Sequence, residues 1–407
     1  MRRLIAIVLL VTLSLPLRDS AIRLPGPETI RHYTWDVEFD YLTWVAHAAA
    51  LKIGQGRLQP ERFLDEESQS AHVRATMALV QRILDAENEL RRLHADPAAS
   101  AAERSALAAQ LEQLYQQRQQ AAPLAESILQ AQVSAVFREQ GFVVFPPLLY
   151  HSTPLPWALI VSPRDSIAQQ HNLSLRTELT LEEHIRIEDQ VAVGMNVSTL
   201  VVPVGGIGVY PTMVAQSSNL NWLAETIAHE WLHNYLTLRP LGFLYYHSPE
   251  LTTMNETTAN LAGRQIGEAV IARYYPERVP APPQPAPTPT TPEEAPAPPA
   301  FDFRAEMHET RLQVDALLAE GRLHEAEDYM EARRLIFWEH GYIIRKLNQA
   351  YFAFYGSYAD SPTGPAGADP VGAAVRELYA RSPDLRSFVD QMAWLTSFEG
   401  LQRLLAD

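Results

Sequence analysis

Two histidines stand four positions apart in AETIAHEWLHNYLTL, residues 224–238, a stretch with the pattern of an amphipathic helix. On a helix, His229 and His233 would share one face, with their Cβ atoms about 5–6 Å apart. Two imidazole nitrogens can then converge on one zinc ion, at bond lengths of about 2.0–2.1 Å. Glu230 would lie about 100° around the helix, where a base for a zinc-bound water is needed. The spacing therefore predicts a zinc site with an adjacent general base.

The chain carries two incomplete copies of the same pattern. His308 and His324 are each followed by a glutamate on a helical stretch, but Leu312 and Asp328 occupy the positions of the second histidine. For the complete motif, the alternative interpretation is a packed helix that exposes two histidines without binding a metal. A third ligand would decide between these interpretations, because a catalytic zinc site requires three protein ligands.

One common source of the third ligand is excluded by the sequence. In the extended motif H-E-x-x-H-x-x-G-x-x-H, a third histidine on the same stretch binds the metal. Leu236 and Arg239 stand where this motif would carry the glycine and the third histidine. The other common source is a glutamate on the next helix. If the two helices pack antiparallel, their rise of about 1.5 Å per residue places Glu256 opposite His233. His247 is an alternative ligand, but it precedes the predicted helix and has no fixed register with the motif.

The polar residues around the motif receive different predictions. Asn260, one turn beyond Glu256, would lie opposite His229 and accept a hydrogen bond from its far ring nitrogen, a contact that metal-bound histidines usually need. Glu225 and Glu268 are predicted to lie on solvated helix faces.

Local signals predict where the two helices begin and end. Ser217, Ser218 or Asn219 can cap the first helix, which should stop before Pro240. Ser248 can cap the second helix, because a proline follows it at the first helical position and a glutamate lies in the first turn. These boundaries fix the register that the zinc prediction needs.

Two segments carry a family resemblance. HEWLH (residues 229–233) followed by NETTAN (255–260) resembles the gluzincin group of zinc metallopeptidases, to which thermolysin belongs. The resemblance covers about residues 195–275. Residues 300–400, with the stretch RKLNQAYFAFYGSYAD, are loosely similar to a family of predicted bacterial aminopeptidases. The chain departs from the pattern at Asn260, where thermolysin-like enzymes often have aspartate. It also lacks the Gly-x-Met-Glu-Asn segment that binds the substrate amine in related aminopeptidases, so the resemblance leaves amino-terminal specificity unsupported.

The resemblance implies zinc-assisted hydrolysis of a peptide bond. His229, His233 and Glu256 would hold Zn²⁺, with a water molecule in the fourth position. Glu230 would take the proton of that water and deliver it to the leaving amine.

Gluzincins often stabilise the tetrahedral oxyanion with a tyrosine or histidine from the C-terminal helical region. The candidates here are Tyr351, Tyr355, Tyr358 and His340. Tyr355 and Tyr358 rank first because they adjoin the Gly-rich stretch at residues 356–370, which could border the cleft. The alternative for each is an aromatic side chain in the core.

The stretch GIGVYPTMV, residues 206–214, is predicted as a strand ahead of the zinc helix. The glycine-rich stretch at residues 205–208 cannot be a phosphate-binding loop, because it lacks the lysine and the helix directly behind it. A strand edge or a tight turn ahead of the zinc helix is predicted there instead. The edge of the strand at 206–214 could pair with an extended substrate, or it could be an ordinary sheet strand.

Composition limits the class of protein. The chain has 407 residues, of which 47% are hydrophobic and 20% charged, as expected for a globular protein of two or three domains. The net charge of −15 argues against nucleic acid as a partner, since phosphate contacts need lysine and arginine. The chain has no cysteine, which excludes a thiolate nucleophile and a cysteine-bound metal.

The predicted fold is α+β and mainly helical, with a zincin-like core in which a small sheet accompanies the two zinc-binding helices. Helical hairpins would precede this core and a helical domain would follow it. The predicted divisions are a signal peptide or membrane anchor at 1–20, a helical region at 34–141, the catalytic region at 142–275, a Pro-rich linker at 276–300 and a C-terminal helical domain at 301–407.

The first residues predict export. Two arginines precede an apolar run from Leu4 to Leu17, which is shorter than the roughly 20 residues of a spanning helix but suits a signal-peptide core. The protein would then work outside the cytoplasm, secreted or anchored to the membrane by this segment. The alternative is a buried N-terminal strand or helix.

The sequence leaves three functions open. The first is an exported or anchored zinc metallopeptidase that acts on a peptide or protein. The second is a catalytically idle scaffold or binding protein of the cell envelope, against which the intact Glu230 argues. The third is a zinc hydrolase of a non-peptide amide or ester.

Overall fold

The computed structural model describes residues 30–96, 98–281, 301–358, 365, 367 and 370–406. The predicted signal or anchor segment and most of the predicted Pro-rich linker lie outside these residues. The part described is predominantly helical with a few short strands, which agrees with the prediction of an α+β protein. None of the helices described there combines the length and apolar character needed to cross a lipid bilayer.

The described residues form fourteen α-helices and six strands. The helices are α1 Arg31–Thr34, α2 Tyr41–Leu58, α3 Glu66–Ala95, α4 Ala101–Glu139, α5 Leu181–Met195, α6 Leu220–Thr237, α7 Pro240–Phe243, α8 Pro249–Tyr274, α9 Phe303–Ala319, α10 Leu323–Glu339, α11 Gln349–Tyr355, α12 Pro370–Arg381, α13 Leu385–Ala393 and α14 Phe398–Ala406. The strands are β1 Tyr150–Ser152, β2 Trp157–Pro163, β3 His171–Leu175, β4 Val197–Val202, β5 Gly206–Ile207 and β6 Thr212–Val214.

The helices α3 and α4 form the hairpin that the N-terminal pattern predicts. A capping box starts α4, in which Ser100 accepts from the backbone of Glu103 and the Glu103 carboxylate accepts from the backbone of Ser100. Ile83 and Leu111 are buried between the two helices. Apolar residues at helical spacing therefore pair the two arms along their length.

The strands form two sheets of three strands each. One sheet has the order β3-β2-β4 and is antiparallel throughout. The other has the order β1-β6-β5, with β1 parallel and β5 antiparallel to β6. The prediction of one strand over residues 206–214 was wrong, because this stretch forms β5 and β6 with a turn between them. Pro211 lies in that turn and has no N–H with which to continue a ladder.

The outer edge of β4 is closed by side chains. The Glu188 carboxylate accepts from the backbone N–H of Val201 at 2.6 Å and also pairs with Arg345 and Lys346. Asn348 donates to the carbonyl of Thr199 at 3.0 Å. This edge is therefore unavailable to another strand.

A large apolar core surrounds α6 and α8. It includes residues of α3, α4 and α12 to α14, so helices from both ends of the described chain bury one face against the same pair. Trp231 of α6 packs against Phe137 of α4 with ring centroids 4.3 Å apart. The two central helices are thus enclosed by packing on several sides.

A smaller apolar cluster places α11 against the antiparallel sheet. Ala350 and Phe354 of α11 are buried with Ala158, Ile160 and Leu200. Tyr351, Tyr355 and Tyr358 pack against the same cluster and are partly buried there.

Candidate metal centre

The helices that carry the motif begin and end where the sequence predicts. Asn219 caps α6, because its side chain accepts a hydrogen bond from the backbone N–H of Trp222. The helix ends at Thr237, before Pro240. Ser248 caps α8 in the same way, with Pro249 as the first helical residue.

Two glycines let α8 approach α6 closely. A Cβ atom added to Gly263 would lie 2.9 Å from Cβ of His229, and one added to Gly267 would lie 2.8 Å from Cα of Glu225. Larger residues at these positions would hold the helices apart. The close approach brings the side chains of both helices to one point.

His229, His233 and Glu256 meet at that point, and all three are buried. The Nε2 atoms of the two histidines lie 3.0 Å apart, and Oε2 of Glu256 lies 3.5 Å from the first and 3.4 Å from the second. Neighbouring ligands of a tetrahedral zinc ion with bonds of about 2.0–2.1 Å lie about 3.3 Å apart. The three atoms therefore have the separations of a metal-binding triad.

Glu256 presents its two oxygens differently. Oε1 accepts a hydrogen bond from the hydroxyl of Tyr245. Oε2 is buried and receives no hydrogen bond in standard geometry from any residue that the structure describes. Burial alone would raise the pKa of Glu256, but the adjacent His233 and His229 rings lower it well below its usual value. The group is thus an anion that faces two imidazoles.

Asn255 is hydrogen-bonded to the far ring nitrogen of His233. Its Oδ1 accepts from Nδ1 of His233 at 2.8 Å, which leaves Nε2 as the lone-pair donor. The Nδ2 amide group of Asn255 donates to the carbonyl of Leu241 at 3.4 Å. Asn260 is half-buried one turn beyond Glu256, and its assignment to His229 stays a prediction. Sequence reasoning missed Asn255, although its position directly before the glutamate was a signal.

Glu230 lies beside the triad. Its Oε1 is 4.0 Å from Nε2 of His229, and the residue is buried. The β5 backbone packs on it, since a Cβ atom at Gly206 would lie 2.5 Å from Cγ of Glu230. Asn234 ties α6 to the same sheet through a 3.0 Å hydrogen bond to Thr212. The carboxylate is therefore held between α6 and the edge strand.

The triad opens into a cleft of about 600 Å³, part of it open to solvent. Tyr358 lines the cleft, with its ring centroid 6.4 Å from that of His229. The wall also includes Tyr41 of α2 and Ser174 of β3, whose hydroxyls lie 2.6 Å apart. The sequence predicts no chemistry in either segment, because no local pattern marks these two residues.

The other residues weighed as oxyanion donors lie elsewhere. Tyr351 and Tyr355 line a separate cavity of about 440 Å³, and burial raises the pKa of both. His340 ends α10 and stacks on Phe301 at 3.9 Å between ring centroids. The Gly-rich stretch beside Tyr358 lies mostly outside the described residues.

The remaining acidic and histidine candidates are peripheral. His247 is exposed in the turn that precedes α8. Glu225 is half-buried near Arg264 at 3.9 Å, and Glu268 is exposed, in line with the prediction of solvated helix faces.

Fold and site together define a helical α+β protein with a buried centre of two histidines and one glutamate beside a second glutamate. No known protein family, no curated protein and no solved structure matches this chain.

Proposed function

We propose that the chain is a zinc-dependent hydrolase that cleaves peptide bonds. The main support for this proposal is the geometry of three atoms. Nε2 of His229, Nε2 of His233 and Oε2 of Glu256 lie within 3.5 Å of one another. A cation between these three atoms would accept one lone pair from each and would balance the buried charge of the Glu256 carboxylate. Two imidazoles and a carboxylate are a donor set of catalytic zinc sites.

Zinc bound there would acidify a water molecule and polarise the scissile carbonyl. Glu230, whose Oε1 lies 4.0 Å from Nε2 of His229, would accept the proton of the attacking water and pass it to the leaving amine. Tyr358, whose ring lies in the same cleft, is the candidate donor to the oxyanion.

An extended peptide would pair with the edge of β5. This strand is the outer member of its sheet, and both of its residues line the cleft next to Glu230. Backbone groups at an exposed edge can pair with a peptide strand in register. The resemblance of the two motif segments to gluzincin peptidases supports the same substrate class. The signal-like N-terminus supports action outside the cytoplasm.

The test is hydrolysis of a mixed peptide library, with cleavage positions read by mass spectrometry. We expect Glu230→Gln to lose about 10²- to 10⁴-fold in rate while it keeps its metal. Equal activity in wild type and Glu230→Gln would refute the mechanism. Activity on esters or non-peptide amides alone would refute the peptide substrate but would leave the proposal of a zinc-dependent hydrolase standing.

Metal analysis separates the enzyme from a scaffold that lacks activity. We expect about one zinc per chain in the purified protein, and its loss in His233→Ala. A wild-type protein that binds no zinc, even when zinc is added, would favour the scaffold.

A further inference from the structure

We propose that Tyr245 is a positioning residue that holds Glu256 so that only one carboxylate oxygen faces the metal. The inference rests on the proposed function in one respect, which is that Glu256 binds a metal. Tyr245 lies in the turn between α7 and α8, and no motif in the sequence marks it.

Tyr245 contacts two of the three residues of the triad. Its hydroxyl donates to Oε1 of Glu256, and its ring lies edge-on to His233, with centroids 6.1 Å apart and planes at 83°. The ring therefore packs against one ligand while the hydroxyl bonds to another. No other hydrogen bond to Oε1 of Glu256 is found among the described residues.

The backbone of Tyr245 is itself fixed. The hydroxyl of Thr252, in the first turns of α8, donates to the Tyr245 carbonyl at 2.6 Å. The N–H of Tyr245 donates to the carbonyl of Gly242 at 3.3 Å. The turn is thus tied to the helix that carries Glu256, so the tyrosine and the carboxylate keep their relative position.

This arrangement has a chemical consequence. A carboxylate with both oxygens available can bind a metal through one or two of them. A hydrogen bond on Oε1 favours binding through Oε2 alone, which leaves room for water and substrate at the metal. Loss of the hydroxyl would let the carboxylate rotate, with lower affinity and a changed coordination number.

The test compares zinc affinity in wild type and Tyr245→Phe by competition with a chelator. We expect about 10- to 100-fold weaker binding in Tyr245→Phe. The melting temperature of the metal-free protein should stay near that of wild type. With Co²⁺ in place of zinc, the visible absorption should weaken, as coordination rises above four when Glu256 uses both oxygens.

Tyr379→Phe is the matched control. The Tyr379 hydroxyl donates at 2.8 Å to Gln265. Gln265 lies on α8, the helix that carries Glu256, but away from the triad. Its removal should leave the zinc affinity and the Co²⁺ spectrum unchanged. If Tyr245→Phe does not fold, Thr252→Val removes the anchor of the turn and should weaken zinc binding in the same direction.

The outcomes distinguish the two proposals. Zinc binding by wild type with equal affinity in Tyr245→Phe overturns the positioning role and leaves the hydrolase standing. A wild type that binds no zinc overturns both. An equal loss of affinity in Tyr379→Phe would show a general effect on α8 and would also overturn the specific role.

Discussion

Gly263 of α8 lies against the backbone of His229 on α6, so close that an added Cβ atom would be 3.0 Å from the His229 amide nitrogen. The absence of a side chain at this position determines the distance between the two helices. Because His229 and His233 are on one helix and Glu256 is on the other, the same distance sets the size of the triad.

Gly263→Ala should therefore destabilise the protein. Alanine in a helix interior is normally favoured over glycine by about 0.5–1 kcal/mol, but the contact with His229 should reverse the sign, at a cost of about 1–3 kcal/mol. Zinc affinity should fall as α8 moves outward. Urea unfolding and chelator competition measure the two effects.

Gly54→Ala is the control for this change. Gly54 lies in α2, and apart from its own helix backbone and chain neighbours no atom lies within 4 Å of an added Cβ, so its substitution should stabilise the protein slightly. If Gly263→Ala proves as stabilising as Gly54→Ala, the close approach of the helices does not limit their packing.

Gly206→Ala should impair catalysis and spare metal binding. The added Cβ atom would lie 2.6 Å from Oε1 of Glu230, and the carboxylate must move away from β5. We expect kcat to fall at least about 10-fold, since even small misplacement of a catalytic group is costly. A variant with normal kcat would show that Glu230 need not occupy the observed position.

Tyr358→Phe and Tyr355→Phe should differ, although the sequence ranks the two residues together. Tyr358 lines the cleft of the triad, whereas Tyr355 faces another cavity. Loss of one oxyanion donor costs about 10²- to 10³-fold in kcat, and we expect this only in Tyr358→Phe. Steady-state kinetics of both variants will decide, and a larger loss in Tyr355→Phe would contradict the assignment.

Glu188 should make the unfolding free energy depend on pH in the acidic range. Burial opposes its ionisation, but Arg345, Lys346 and the N–H of Val201 lower the pKa of the carboxyl below its usual value of 4.5. Its stabilising contribution is therefore fully present above about pH 4.5 and is lost as the pH falls through the lowered pKa. At pH 7, Glu188→Gln should lose about 1.5–3 kcal/mol of unfolding free energy.

The difference between Glu188→Gln and wild type should shrink as the pH falls below about 4.5, because the wild-type carboxyl becomes protonated. Urea unfolding between pH 3 and pH 7, on the order of five points, measures it. Glu182→Gln, an exposed change on the same helix, should follow the wild-type profile. A constant difference across the range would contradict the assigned linkage.

Much of the centre could be predicted because it depends on local rules. The spacing of His229 and His233 places them on one helix face wherever that helix packs. The caps at Asn219 and Ser248 fix the helix ends and hence the register of Glu256. The strand prediction over 206–214 failed because an apolar run does not show whether a proline-containing turn interrupts it.

What the sequence by itself determined is the set of residues that can bind a metal, since helical spacing and helix ends are decided by neighbours along the chain. Only the tertiary structure decided which side chains surround that set. Tyr245 comes from a turn, Tyr41 from the N-terminal helices and Tyr358 from beyond the linker. Their places depend on the packing of distant segments, and no periodicity in the chain encodes a register between segments that are not neighbours.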